Sequence, residues 1–249
     1  MRIRLAEAAV VGCAVVVRAW AMLSLQSTAH ARHPLVDAHT YWSQAKALAK
    51  GIDPFADGYY QPPGYPLLLS WLQQWFGAEL WVVRVLQLGL GVATTVVLIH
   101  LGRRLGGERR RWFGCMAGAL YAFYPSTILF ELDLLTPAVT AFVMVILLVL
   151  MAPNARPWRF GVAGGLAALA SSFHPSFLVL VGALALTAWW HQTDRKSALQ
   201  GVFLGAFVGL MPMMQSNIDK FDRIRITSNN SGITFYMGNN PDWKRTSFL

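Results

Sequence analysis

The sequence predicts an all-α polytopic membrane protein, and three observations carry that reading. Of its 249 residues, 55% are hydrophobic and only 13% are charged, against about 25% charged in soluble domains. Apolar segments of about 20 residues, the length that crosses about 30 Å of hydrocarbon, recur along the chain. The basic residues gather in short stretches between those segments, as the positive-inside rule requires of cytoplasmic loops. The net charge of +9 is therefore a topological signal, and nucleic acid is excluded as a partner.

The first apolar segment, Leu5 to Gln26, follows Arg2 and Arg4 and is interrupted by Arg18. No small-residue cleavage pattern closes it, so it reads as a retained helix rather than a signal peptide. Leu80 to Leu101 is the second crossing. The arginines at 103, 104, 109, 110 and 111 then mark a cytoplasmic loop. Trp112 to Met151 is long enough for two crossings, with Glu131 and Asp133 at a hairpin in its middle. Phe160 to Trp190 is short for two and is broken at His174-Pro175, which predicts two short or tilted helices. Arg195 and Lys196 mark another inner turn, and Ala198 to Met214 is the last crossing. The sum is seven crossings of the cell inner (plasma) membrane with a cytoplasmic N-terminus. Residues 27–79 form the first extracytoplasmic loop and 215–249 an outer tail. Cys13 and Cys115 match no metal or redox spacing and read as small buried hydrophobes.

The outer loop carries the chemistry. VDAHTYWSQAKALAKG reads as one helix, with Asp37 at its N-cap, Lys46 and Lys50 near its C-terminus and Gly51 as its stop. Tyr41, Trp42, Ala45 and Ala49 form a face suited to the membrane interface. Asp37 reads equally well as a plain cap or as a working carboxylate. The segment YYQPPGYP, Tyr59 to Pro66, is stiffened by Pro62, Pro63 and Pro66. Tyr59, Tyr60 and Tyr65 offer rings on which a sugar could stack, and an aromatic belt is the plainer alternative. An intramembrane arginine is functional by default unless it reaches an interface, but Arg18 reads first as structurally paired with an outer carboxylate and only second as a phosphate contact.

The order of these features resembles a known family. The loop opens D-x-x-x-Y (Asp37, Tyr41), then A-x-x-L-x-x-G (Ala45, Leu48, Gly51), then Y-x-x-P-P-x-Y-P-x-L-L from Tyr59 to Leu69. ITSNNSGITFYMGNNPD follows from Ile226 to Asp242. Together they resemble glycosyltransferase family 39, of the glycosyltransferase-C fold, over essentially the whole chain. The resemblance implies a glycosyltransferase-C-like helical bundle with interfacial helices in the first loop. It implies an inverting enzyme that moves a hexosyl or pentosyl group from a polyprenyl-phosphate donor to an extracytoplasmic acceptor hydroxyl on protein, lipid or glycan. Asp37 would be its general base. Tyr41, Tyr60, Gln61, Pro62, Glu131, Asp133, His174 and Asn239 would contact substrate, and Arg18, Arg84 or Arg225 the donor phosphate. A divalent metal is left open, with no metal ligands assigned, and membrane lipid is the other partner. Three positions depart from the family pattern: Gln61 stands where a lysine is usual, Pro137 where an acid is usual, and Ser216-Asn217 where Arg-Asn is usual. The chain also ends where such enzymes continue, which reads as a fragment. The competing readings are a lipid-linked sugar transporter or flippase, and a catalytically degenerate subunit that binds polyprenyl phosphate.

Overall fold

The computed structural model describes residues 5–55, 58–151, 156–191 and 194–221, with 226, 228, 235–236 and 238–241 beyond them. The described chain is all-helical. Its α-helices are α1 (Leu5–Gln26), α2 (Val36–Ala49), α3 (Gly64–Phe76), α4 (Leu80–Leu105), α5 (Arg110–Phe123), α6 (Pro125–Leu132), α7 (Pro137–Leu150), α8 (Pro157–Ala170), α9 (Phe177–His191) and α10 (Arg195–Phe221). Prolines open α6, α7 and α8, where the missing N–H costs nothing and the fixed φ suits a first turn.

The protein is a multi-pass membrane protein, but the expected seven crossings are not what the helix lengths show. Helices α1, α4 and α10 are long and apolar enough to span, and α5 with α6 makes a fourth if that pair, bent by 53°, is one broken span. The expected fourth and fifth crossings correspond to α7 and α8, each of 14 residues. At 1.5 Å per residue such a helix reaches about 21 Å, short of about 30 Å of hydrocarbon. Tyr124-Pro125 causes the bend in the α5–α6 pair, because the residue before a proline is driven out of the helical region.

Two groups of helices position everything else. Helices α1, α4, α5 and α6 pack together, and α7 joins them through α4. Helix α8 lies along α10 with glycines facing each other: an added Cβ at Gly205 would meet the carbonyl of Gly161, and one at Gly209 the carbonyl of Gly165. Small residues at four-residue spacing are what let two membrane helices approach this closely. Helices α2 and α3 form a lid-like pair whose core is Tyr41, Trp42, Tyr65, Leu69 and Leu72, closed by Val83 of α4 and by Leu134. Cys13 is exposed and Cys115 half-buried, so neither is the buried hydrophobe expected.

Candidate functional site

The proline segment is a brace. Pro62, Pro63, Gly64, Tyr65 and Pro66 are all buried. The Gly64 N–H donates to the carbonyl of Ser172 at 2.8 Å, in the break between α8 and α9. A Cβ at Gly64 would stand 2.6 Å from that same oxygen, which is why only glycine serves there. Tyr65 O–H donates to Gln87 on α4 at 2.8 Å, and its ring meets Tyr41 edge-on at 5.2 Å. Burial raises the Tyr65 phenol well above its ordinary value. Burial first, and then the Asp37 charge, lift Tyr41 to about 12. Tyr59 is buried with Phe55, Met213 and Phe221 and hydrogen-bonds Ser216. Lys220 reaches back to Asp53 at 2.7 Å, so the loop is tied to the end of α10. Of the three tyrosines expected to offer stacking faces, only Tyr60 is exposed, at 54%.

Asp37 does not cap its helix. The N-cap is Leu35, and Asp37 lies inside the first turn, where a carboxylate still favours the positive end of the helix dipole. It is exposed and accepts a hydrogen bond from Gln61 Nε2 at 3.0 Å. The Gln61 Oε1 is buried and makes no hydrogen bond among the described residues. The face of α2 expected at the membrane interface is turned inward instead: Tyr41, Trp42 and Ala45 are buried, because α3 covers them.

The intramembrane charges are held inside the protein. Arg18 forms a two-pronged pair with Glu131, Nε to Oε2 at 2.7 Å and Nη2 to Oε1 at 2.8 Å. Its remaining nitrogen reaches the carbonyls of Ala14 and Ala122, and Tyr121 O–H donates to Glu131 at 3.3 Å. Gly91 of α4 lies against the Glu131 carboxylate with no room for a Cβ. Among the described residues Arg84 forms no ion pair. It donates to the carbonyls of Leu132, Ala31 and His30 at 2.9, 2.6 and 3.1 Å, clamping the segment after α1 to the break after α6. Gln87 spans the same break, donating to the Asp133 carbonyl at 2.8 Å.

The other expected positions are dispersed. Asp133 stands at the end of α6, accepting its own neighbour's N–H (Leu134) and lying 3.5 Å from His30 Nε2. His174 is exposed in the α8–α9 break, its Nδ1 facing the Ser176 N–H at 3.4 Å. Asn239 is exposed and donates to the Phe235 carbonyl. Arg225, most of the motif from Ile226 to Asp242, and Asp57 lie outside the described residues. Of the expected substrate contacts, the structure brings together Asp37 and Gln61 at the loop. It places Glu131 with Arg18 in a separate, buried position. Among the described residues no three His, Cys, Asp or Glu side chains group as metal ligands would.

Fold and geometry thus define a polytopic helical membrane protein whose buried charges are satisfied internally and whose outer loop is braced against the bundle. The chain belongs to the family described as GPI transamidase subunit PIG-U, whose model matches residues 11–221. No curated protein and no solved structure matches it. The family match overturns the resemblance to glycosyltransferase family 39. With it fall the polyprenyl-phosphate sugar transferase, Asp37 as its base, and the flippase and degenerate polyprenyl-phosphate-binding alternatives. The physical reason lies in the loop: the motif residues Tyr41, Tyr59, Pro62, Pro63 and Tyr65 are consumed by packing, and such a brace specifies no reaction.

Proposed function

We propose that this protein is a non-catalytic membrane subunit of a multi-protein transamidase assembly that handles glycosylphosphatidylinositol. The observation that carries the reading is the family match across residues 11–221, which takes in all ten helices at least in part. The geometry supports it. Arg18, Glu131 and Arg84, all buried charges, are engaged by the protein's own groups, which suits a scaffold. Large apolar side chains exposed along α10, among them Phe203, Leu204, Phe207 and Val208, offer area to lipid and to neighbouring helices. The α2–α3 pair faces the extracytoplasmic side, opposite the arginines after α4, in keeping with the positive-inside rule. The test is gentle-detergent purification of the full-length protein from its native membrane. Co-purification with the other subunits of such an assembly, in fixed proportion, is expected. A protein that elutes alone, and whose deletion leaves lipid anchoring of a reporter unchanged, overturns the reading.

A further inference from the structure

Two adjoining cavities lie between the end of α1, the outer face of α2 and the start of α4. The larger, about 570 Å³, has Met22, Trp42, Leu80 and Trp81 among its walls. The smaller, about 240 Å³, adds His33 and His39. Arg32, Trp42 and Lys46 line both. Neither Arg32 nor Lys46 forms a salt bridge among the described residues. Lys46 rests over the Trp42 ring at 5.4 Å, which orients the ammonium without neutralising it. Arg84 also borders the larger cavity, with three of its N–H groups spent on carbonyls out of the five that a guanidinium carries. Glu79 is the one carboxylate in the lining, and no hydrogen bond or ion pair joins it to either free cation.

We propose that this double cavity binds the phosphate of a membrane-lipid headgroup, with Arg32 and Lys46 as its phosphate-binding side chains. A planar guanidinium and a mobile ammonium around one opening, neither in an ion pair among the described residues, match a phosphate ester's oxygens. The larger volume falls within the range of small-molecule sites, about 300–1,000 Å³, and suits an esterified headgroup. Met22, Leu80 and Trp81 supply the apolar side, and Trp81 is 55% exposed at the start of a membrane-spanning helix, where a lipid chain would leave the cavity. The inference stands on the cavity's chemistry alone and does not depend on the subunit role.

The experiment uses the purified full-length protein in detergent, titrated with short-chain phosphatidic acid and, in a second arm, with glycerol 3-phosphate, read by native mass spectrometry. Arg32→Gln with Lys46→Gln is expected to weaken phosphatidic acid binding by about a hundredfold or more, since both charge-assisted contacts to the phosphate are lost. Arg195→Gln, far along the sequence at the start of α10, is expected to bind as the wild type does. Arg32→Lys keeps the charge and is expected to retain more binding than Arg32→Gln. Unchanged binding in the double variant overturns the proposal, as does equal loss in Arg32→Lys and Arg32→Gln. Glycerol 3-phosphate binding as tightly as the lipid overturns the lipid source.

Discussion

Arg18 and Glu131 lie 113 residues apart in sequence and meet through two hydrogen bonds of 2.7 and 2.8 Å, with relative side-chain exposures of 2% and 1%. The pair fastens α1 to α6 at the place where α4 contributes Gly91 and α5 contributes Tyr121. Removing one partner leaves the other buried and uncompensated, which costs about 3–5 kcal/mol. Glu131→Gln is therefore expected to lower stability by about that much in detergent unfolding. Arg18→Met combined with Glu131→Met is expected to recover most of the loss. A double variant as unstable as the single one would show that the pair is not the source.

The contact between Gly64 and Ser172 makes a second case. A methyl group at Gly64 meets backbone, which cannot swing away, so Gly64→Ala should cost about 1–3 kcal/mol through overpacking. Gly182, whose added Cβ meets nothing within 4 Å, is the control, and Gly182→Ala should not destabilise. Thermal melts of the two variants side by side check this.

Acid should loosen the tie between the loop and α10. The hydrogen bond from Lys220 holds the Asp53 carboxyl below its ordinary value of 3.8. A depressed carboxylate contributes stability above the unfolded value, and that contribution is lost as pH falls through the lower folded value. Both partners are partly solvated, so the contribution is about 0.2–1 kcal/mol. Stability measured from pH 5 down through the unfolded value of 3.8 should fall less steeply in Asp53→Asn than in the wild type. Identical slopes would remove the interaction from the account.

Asp37→Asn keeps a side-chain oxygen for Gln61 and removes a charge at an exposed position. Its effect on stability should stay within about 0.5 kcal/mol. The partners that co-purify with the protein should be unchanged, because no step depends on a base there.

Much of the local structure is legible in the sequence. The first helix runs from Leu5 to Gln26 as its apolar span predicts. Gly51 follows the end of α2 with a φ of +75°, and the short helices part around His174-Pro175. These are decisions made by neighbours along the chain: an apolar run, a glycine, a proline. What is not legible depends on partners distant in sequence. Nothing near Arg18 says that Glu131 will claim it, and nothing near Arg84 says that three carbonyls will. Tyr41 and Trp42 have the composition of an interfacial face and the location of a core, since α3 decides between them. The glycines at 201, 205 and 209, four residues apart, lie at the close contact with α8, which only the packing of the two helices reveals. Function was the hardest to read, because Asp37, Tyr41 and the Pro62-Pro63 pair resemble the motif of one family while the chain as a whole matches another.

Membership of a multi-subunit assembly is decided by the mass and composition of the detergent-solubilised complex that carries the full-length protein. The account predicts a stable complex with several other chains in fixed stoichiometry, unchanged by Asp37→Asn. A lone protein that transfers sugar from a lipid phosphate, and stops doing so in Asp37→Asn, would contradict it.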